Sequence, residues 1–153
     1  MPIVVIKPDR DDVKRLIHEA DASMLAAYPA ESNHLDDIGE LSRSNVYFLG
    51  AFVKDQLAAI GAVKTMNDDG IYGEIKRLYV DPLYRGQNLS VKLMQRLERH
   101  LITNGIALAR LETGEKQTAA ISLYEKLGYY TRHPYGKYVT DPFSIFMEKR
   151  LSH

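Results

Sequence analysis

The pattern of apolar and polar positions predicts alternating strands and helices along this 153-residue chain. Residues 3–6 form a β-branched run between two prolines, which favours a short first strand. Apolar residues then recur with helical spacing from Val13 to Tyr28, and Pro29 ends the predicted helix. A shorter, less regular helix is predicted over residues 34–41.

The middle of the chain carries three strand-like segments separated by short polar turns. Residues 46–53 and 57–66 are almost continuously apolar and flank a three-residue turn, which indicates a buried hairpin. The sequence Asn-Asp-Asp-Gly at residues 67–70 predicts a turn into a third strand at residues 71–80. Three antiparallel strands are therefore expected to lead into the amphipathic helix predicted over residues 87–104.

The last third of the chain continues this alternation. The predicted elements are a strand, a helix and two further strands, at residues 107–113, 118–127, 129–132 and 143–149. Residues 133–142 form a long polar and aromatic loop between the last two strands. Because a helix joins the fourth and fifth strands, these two should be parallel. We expect an α+β protein with a mixed, mostly antiparallel sheet of about seven strands and helices on both faces.

Composition restricts the function classes further. A formal net charge of zero argues against a general nucleic-acid role, since such proteins carry an excess of basic residues. The absence of cysteine excludes disulfides and a cysteine nucleophile, and five histidines without paired spacing argue against a metal site. No apolar run approaches the ~18 residues of a membrane span, and the N-terminal run is too short for a signal peptide. We expect a cytoplasmic protein with one domain over residues 1–153.

The turn between the predicted fourth strand and the next helix is a candidate phosphate site. Residues 84–90 read Tyr-Arg-Gly-Gln-Asn-Leu-Ser. The first N–H groups of a helix have no intrahelical partner, and the helix dipole favours negative charge there. Arg85 adds a guanidinium group, and residues 76–110 carry seven basic residues against two acidic ones. An ordinary solvated basic surface is the alternative interpretation.

Two sequence blocks resemble the GNAT superfamily of acyl-CoA-dependent N-acetyltransferases. Residues 73–90 (GEIKRLYVDPLYRGQNLS) are similar to the family's fourth strand and pyrophosphate loop, usually written Arg/Gln-x-x-Gly-x-Gly/Ala. Residues 119–129 (AAISLYEKLGY) are similar to the family's last helix and the strand after it. Both blocks occur in the family's order and at its separation, and the resemblance covers nearly the whole chain. It implies a GNAT-like three-layer fold in which strands 4 and 5 are parallel and splayed.

The pyrophosphate loop departs from the family pattern at two positions, Asn88 and Ser90. If the family's first glycine provides a positive φ, asparagine is the best non-glycine substitute. If that glycine allows a close approach of the backbone, asparagine intrudes. Ser90 is small and can donate a hydrogen bond. Gln117 stands where the family often has an asparagine, and its longer amide could bond the pantetheine arm.

The resemblance implies acetyl-CoA as cofactor, coenzyme A as product and no metal. Backbone N–H groups of residues 78–80 would bind the thioester oxygen, and the turn at residues 85–90 would hold the pyrophosphate. Lys126 or Lys92 would reach the adenosine phosphates. The implied cofactor-binding residues are Leu78, Tyr79, Val80, Arg85, Gly86, Gln87, Asn88, Leu89, Ser90, Gln117 and Lys126.

Amine acetylation needs a proton acceptor and a proton donor. An alkyl amine has a pKa near ~10, so a base must remove its proton directly or through water. The resemblance implies Glu74 as this base, the alternative being a strand glutamate paired with Lys76 or Arg77. It implies Tyr124 as the acid that protonates the leaving thiolate, the alternative being a tyrosine packed in the core. His34 could be a second base, although a helix cap or surface residue is the commoner role.

Acceptor binding is expected from the first two helices and the late loop. The candidate residues are Tyr28, Asn33, His34, Tyr135 and Tyr138. The acidic residues 36, 37 and 40 could attract a cationic amine, but a solvated helix face is the alternative.

The expected reaction is direct transfer, in a ternary complex, to a primary amine of a small molecule or amino acid. A protein or peptide acceptor and a non-catalytic acyl-CoA-binding module are the alternatives. We expect no nucleic-acid or membrane partner. The family often dimerises, and by that analogy the apolar residues 143–147 offer a surface for a homodimer.

Overall fold

A computed structural model describes residues 2–33 and 35–152. The described strands are β1 (Ile3–Val5), β2 (Val46–Val53), β3 (Gln56–Asn67), β4 (Ile71–Val80), β5 (Leu108–Gly114), β6 (Tyr130–Arg132) and β7 (Ser144–Arg150). The described helices are α1 (Asp11–Ala27), α2 (Ile38–Leu41), α3 (Leu89–Thr103) and α4 (Thr118–Lys126), with 3₁₀ turns at Ala30–Ser32 and Pro82–Tyr84. Within these residues, every helix is too short or too polar to cross a bilayer.

The strands form one mixed sheet in the order β1-β2-β3-β4-β5-β7-β6. Neighbouring strands are antiparallel except β4 and β5, which are parallel. The predicted sheet, with helices on both faces and strands 4 and 5 parallel, is confirmed. The helix predicted over residues 34–41 was too long, because the Asp37 carboxylate accepts a hydrogen bond from the Glu40 N–H and α2 starts only at Ile38.

Apolar residues on the two faces of the sheet form separate cores. On one face, α3 packs Leu93, Leu97 and Leu101 against the sheet, and on the other α1 does so with Val13 and Leu16. The consecutive β2 residues 48 and 49 lie in different cores, because successive strand side chains point to opposite faces. Burial on both faces explains the nearly unbroken apolar runs of β2 and β3.

The contact between β4 and β5 is short. Only Gly73↔Ala109 and Glu74↔Arg110 are paired, and beyond them the two strands diverge. A Cβ atom on Gly73 would lie 2.4 Å from Leu101 Cδ2, so glycine allows α3 to pack closely over this seam. The sheet is therefore continuous but opens into a gap toward the C-terminal ends of β4 and β5.

A β-bulge accompanies the divergence. Between the pairs Ala62↔Lys76 and Ile60↔Tyr79, β4 has one residue more than β3. Within this bulge, Arg77 has a φ of 58°, a region that side chains other than glycine rarely occupy. Its buried guanidinium pairs with Asp21 of α1 and donates to the Asp36 carbonyl, so tertiary contacts hold the bulge in place.

Candidate active site

The gap between β4 and β5 opens into a cavity of about 620 Å³, a volume typical of small-molecule sites. Its walls come from β4, from the turn before α3, from β5 and from α4. The remaining wall is formed by Ala20, Ser23 and Met24 of α1 and by Ser32, Leu35 and Asp36. Across the described residues, no group of three His, Asp or Glu side chains is placed to hold a metal ion.

Most of the predicted cofactor-binding residues are brought together in this cavity. Those that line it are Leu78, Tyr79, Val80, Arg85, Gly86, Asn88, Leu89, Ser90 and Gln117. Gln87 and Lys126 are exposed and do not line it. Both side chains are long, and their predicted contacts with a ligand stay predictions.

The edge of β4 that faces the cavity offers backbone hydrogen-bonding groups. After Glu74, and within the described residues, β5 no longer pairs with this edge. The opposite edge of β4 remains paired with β3, which keeps residues 78–80 extended along the cavity wall. A strand edge of this kind can pair with another extended chain that carries amide groups. Pantetheine is such a chain, and the geometry fits it.

The turn before α3 contains two residues with positive φ, Gly86 and Asn88. Gly86 has a φ of 84°, and a Cβ atom there would meet nothing within 4 Å. Glycine is therefore favoured at this position by the positive φ and not by a lack of space for a side chain. Asn88 is left-handed, with φ 63° and ψ 25°, and α3 begins at the next residue. Asparagine therefore stands at a position that needs positive φ, the first of the two alternatives from the sequence.

Asp81 fixes the position of this turn. The carboxylate is buried, accepts the Leu83 N–H at 3.0 Å and accepts a hydrogen bond from Arg15 of α1 at 3.2 Å. Pro82 follows at the first position of the 3₁₀ turn, where its missing N–H is not needed. The local sequence and one long-range contact together aim the N-terminus of α3 at the cavity.

Tyr124 belongs to α4. The side chain is buried, packs edge-to-face on Tyr129 with the ring centroids 5.9 Å apart, and lines the cavity. Burial raises the pKa of Tyr124 to about 12. The phenol is therefore protonated at neutral pH and can donate a hydrogen bond or a proton. The role of Tyr124 as the acid remains a prediction.

Glu74 lies behind the cavity rather than on its wall. It occupies the last position of β4 that pairs with β5, and its Oε2 atom accepts hydrogen bonds from Tyr135 at 2.8 Å and Tyr138 at 2.6 Å. Burial, assisted by the negative charge of Glu74, raises the pKa of both phenols, so both stay protonated donors. The structure brings these three predicted residues together, but none of them lines the cavity.

The predicted acceptor residues at the end of α1 make hydrogen bonds to neighbouring loops, and their role in acceptor binding stays a prediction. The Tyr28 ring is buried against Gly114, and its hydroxyl accepts the Lys116 N–H at 2.9 Å. The Asn33 amide donates to the Pro29 carbonyl at 3.0 Å. Neither side chain lines the cavity, because both are directed into the loops that surround it. His34 lies outside the described residues.

Two acidic residues of the cavity wall were missed or misinterpreted from the sequence. Asp36 is not part of a solvated face, because its carboxylate pairs with Lys64 at 2.8 Å and Lys76 at 3.6 Å. Burial opposes ionisation most strongly, yet the two lysines together hold the pKa of Asp36 below its ordinary value. Glu112 of β5 also lines the cavity. The alternation of Arg110 and Glu112 along β5 is the sequence signal that could have identified Glu112 as a residue of a polar sheet face.

Comparison with known proteins gives relatives over the full length of the chain. The model of the Acetyltransferase (GNAT) family matches residues 13–129. A protein named IAA acetyltransferase from Azospirillum brasilense is 40% identical over 154 residues, covering 99% of this chain and 100% of that protein. The uncharacterized N-acetyltransferase YsnE of Bacillus subtilis (strain 168) is 30% identical, covering 91% of this chain and 92% of that protein.

Solved structures have the same fold. An acyl-CoA N-acyltransferase from Klebsiella pneumoniae superposes with a TM-score of 0.80 at 33% identity, covering 99% of this chain and 97% of that one. The PaiA N-acetyltransferase of Thermoplasma acidophilum, solved in complex with coenzyme A, superposes with a TM-score of 0.70 at 22% identity over 99% and 100% of the chains. The family expected from the two sequence blocks is confirmed, and the chain belongs to the acetyltransferase (GNAT) family.

Proposed function

We propose that this protein transfers the acetyl group of acetyl-CoA to a primary amine of a small molecule or amino acid, by direct attack in a ternary complex. The observation that carries the proposal is the cavity between β4 and β5. It joins a strand edge without a strand partner in the described chain, the N-terminal turn of α3 and the Tyr124 phenol. The relative named IAA acetyltransferase supports a small-molecule acceptor.

Each wall of the cavity has a separate role in this proposal. Acetyl-CoA, when bound, supplies the acetyl group as a thioester. Backbone N–H groups of residues 78–80 polarise its carbonyl oxygen, and the turn at residues 85–90 with the first N–H groups of α3 holds the pyrophosphate. The Tyr124 hydroxyl gives a proton to the leaving sulfur.

The acceptor side of the cavity has mixed charge. Lys76, Arg77 and Asp36 line it together with the apolar side chains of Met24 and Leu35. A wall with both signs of charge and an apolar surface suits a small amine that also carries a polar or anionic group.

The test is release of free coenzyme A from acetyl-CoA across a panel of alkylamines, amino acids and short peptides. We expect turnover with at least one small amine, and a Tyr124→Phe variant with kcat lower by about 10²-fold or more. Calorimetry with acetyl-CoA is the control, because Phe keeps the packing and should leave cofactor affinity nearly unchanged. Binding without turnover across the panel would favour a non-catalytic module, and turnover of peptides alone would favour a protein acceptor.

A further inference from the structure

We propose that Glu112, rather than Glu74, takes the proton from the acceptor amine. This inference rests on the proposed acetyl transfer and assigns its base to a β5 residue outside both sequence blocks that resemble the family. The point where β4 and β5 separate determines which of the two carboxylates can reach the cavity. Glu74 pairs with Arg110 at the last closed position of the seam.

Strand geometry places Glu112 on the open side of that position. Alternate residues of a strand share one face of the sheet, so Arg110 and Glu112 lie on the same face. Arg110 is opposite Glu74, and Glu112 therefore lies one same-face position further along, within the gap. In agreement with this register, Glu112 lines the cavity and Glu74 does not.

Glu112 is held in a position that suits proton transfer. Its side chain is half-buried, and its Oε2 atom accepts a hydrogen bond from Ser144 Oγ at 2.7 Å. Ser144 belongs to β7, which pairs with β5 at Gly114, so the two strands fix the orientation of the carboxylate. Tyr124 and residues 78–80 line the same cavity, which places the candidate base, acid and backbone donors around one space.

The other carboxylate of the cavity wall is less suited to accept a proton. Among the residues that the structure describes, Asp36 and Glu112 are the two acidic side chains that line the cavity. Asp36 is bound to Lys64 and Lys76, whose charges lower its pKa against the opposing effect of burial. Protonation of Asp36 would remove a negative charge that pairs with both ammonium groups.

Glu74 is better described as a positioning residue. Two protonated phenols donate to its Oε2 atom, and Tyr138 also accepts a hydrogen bond from Lys76 Nζ at 3.2 Å. Lys76 lines the cavity, so Glu74 acts on the site through Tyr138 and Lys76. The two phenols therefore engage the Oε2 atom of Glu74.

The proposed step is balanced in atoms and charge. At neutral pH the acceptor enters as an ammonium ion, and Glu112 removes one proton directly or through a water molecule. The neutral nitrogen forms a C–N bond with the acyl carbon while the C–S bond breaks, and the sulfur takes a proton from Tyr124. The nitrogen loses its second surplus proton as the amide forms, which replaces the proton given by Tyr124. The proton on Glu112 passes to solvent at the open mouth of the cavity.

The test compares Glu112→Gln with Glu74→Gln, two isosteric changes on the same sheet face. The acceptor is the amine that the wild-type protein acetylates fastest in the panel. We expect Glu112→Gln to lower kcat by about 10²- to 10⁴-fold, with acetyl-CoA affinity by calorimetry unchanged. Its kcat/KM should rise with pH up to the pKa of the free amine, because the amine must then deprotonate without help. Glu74→Gln should keep the wild-type shape of the pH profile.

A second pair of measurements separates chemistry from structure. Glu112→Ala should regain part of its kcat when formate is added, because a small carboxylate can occupy the space of the missing side chain, and Glu112→Asp should retain more activity than Glu112→Gln. Wild-type kcat in Glu112→Gln, or loss of the pH dependence in Glu74→Gln alone, would overturn the proposal. If the wild type acetylates an amine and either contradicting result is observed, only the assignment of Glu112 as the base is refuted. If the wild type acetylates no amine, the proposed acetyl transfer is refuted as well.

Discussion

Glu148 connects three strands at the closed end of the sheet, and its removal should make stability less dependent on pH. Its Oε1 atom accepts hydrogen bonds from Arg110 of β5 at 2.7 Å and from Arg132 of β6 at 2.6 Å. Its Oε2 atom accepts a third, from the Tyr130 hydroxyl at 2.7 Å. Glu148 itself lies on β7, so one carboxylate ties β5, β6 and β7 together.

The size of the effect follows from the pKa of this carboxyl group. Burial raises it and is the largest single influence, but the three donors together lower the pKa of Glu148 from its usual 4.5 to about 2. Each pH unit of difference between the folded and unfolded pKa is worth about 1.4 kcal/mol, which gives an upper limit of about 3.4 kcal/mol. Tyr130 is exposed and solvent screens the cluster, so we expect about 2 kcal/mol.

The sign of the dependence is fixed by the direction of this shift. The pKa is lower in the folded protein, so the stabilisation is fully present above about pH 4.5 and is lost as the pH falls through about 2. Glutamine has nearly the shape of a protonated glutamate, so Glu148→Gln represents the protein after this loss.

Urea unfolding of the wild type and Glu148→Gln at pH 7, 5 and 2.5 measures the effect. The wild type should be more stable by about 2 kcal/mol at pH 7 and pH 5, and the difference should shrink by at least half at pH 2.5. Because both proteins share every other titrating group, the difference between them isolates Glu148. A difference that stays constant over this pH range would refute the reasoning, since it would then arise from packing rather than charge.

The other predictions concern the seam and the cofactor turn. Gly73→Ala should lower the free energy of unfolding by about 1–3 kcal/mol, because the new Cβ atom would lie 2.4 Å from Leu101 Cδ2; equal stability in a urea titration would contradict this packing. Asn88→Gly should keep coenzyme A affinity within a few-fold in calorimetry, whereas Asn88→Val should weaken it and destabilise the protein by about 1–2 kcal/mol, since a β-branched residue disfavours a φ of 63°. Equal affinity in both variants would show that positive φ is not what the turn requires. With a pKa of about 12, Tyr124 should still act as the acid at pH 10, so a wild-type kcat that falls between pH 8 and 10 as a phenol ionises would contradict that role.

Local features of the sequence were sufficient to predict most elements and the turn before α3. The strands β2, β3 and β4 were found because long apolar runs with polar turns between them leave few other structures. The turn before α3 was found because both of its signals, glycine and an N-terminal helix turn, lie within residues 84–90. The helix at 34–41 was overextended because the Asp37 cap overrides the weak helical pattern before it.

The acceptor side could not be predicted in the same way, because it depends on long-range packing. An amphipathic tyrosine serves equally well in a binding site or in a core, and Tyr28 is used to fasten α1 to the start of the loop after β5. Asp36 becomes part of the cavity wall only through lysines that lie 28 and 40 residues further along the chain. The location of Glu112 depends on where the β4–β5 pairing ends, and no single segment of the sequence contains that information.

The short seam between β4 and β5 also makes the stability of the folded protein depend on ligand binding. Two residue pairs are few for joining strands in the middle of a sheet. A bound chain that pairs with the open edge of β4 would add hydrogen bonds in the gap. A ligand present at 100 times its dissociation constant stabilises the folded state by about 2.7 kcal/mol. Resistance of the folded protein to proteases should therefore increase when coenzyme A is added at such a concentration.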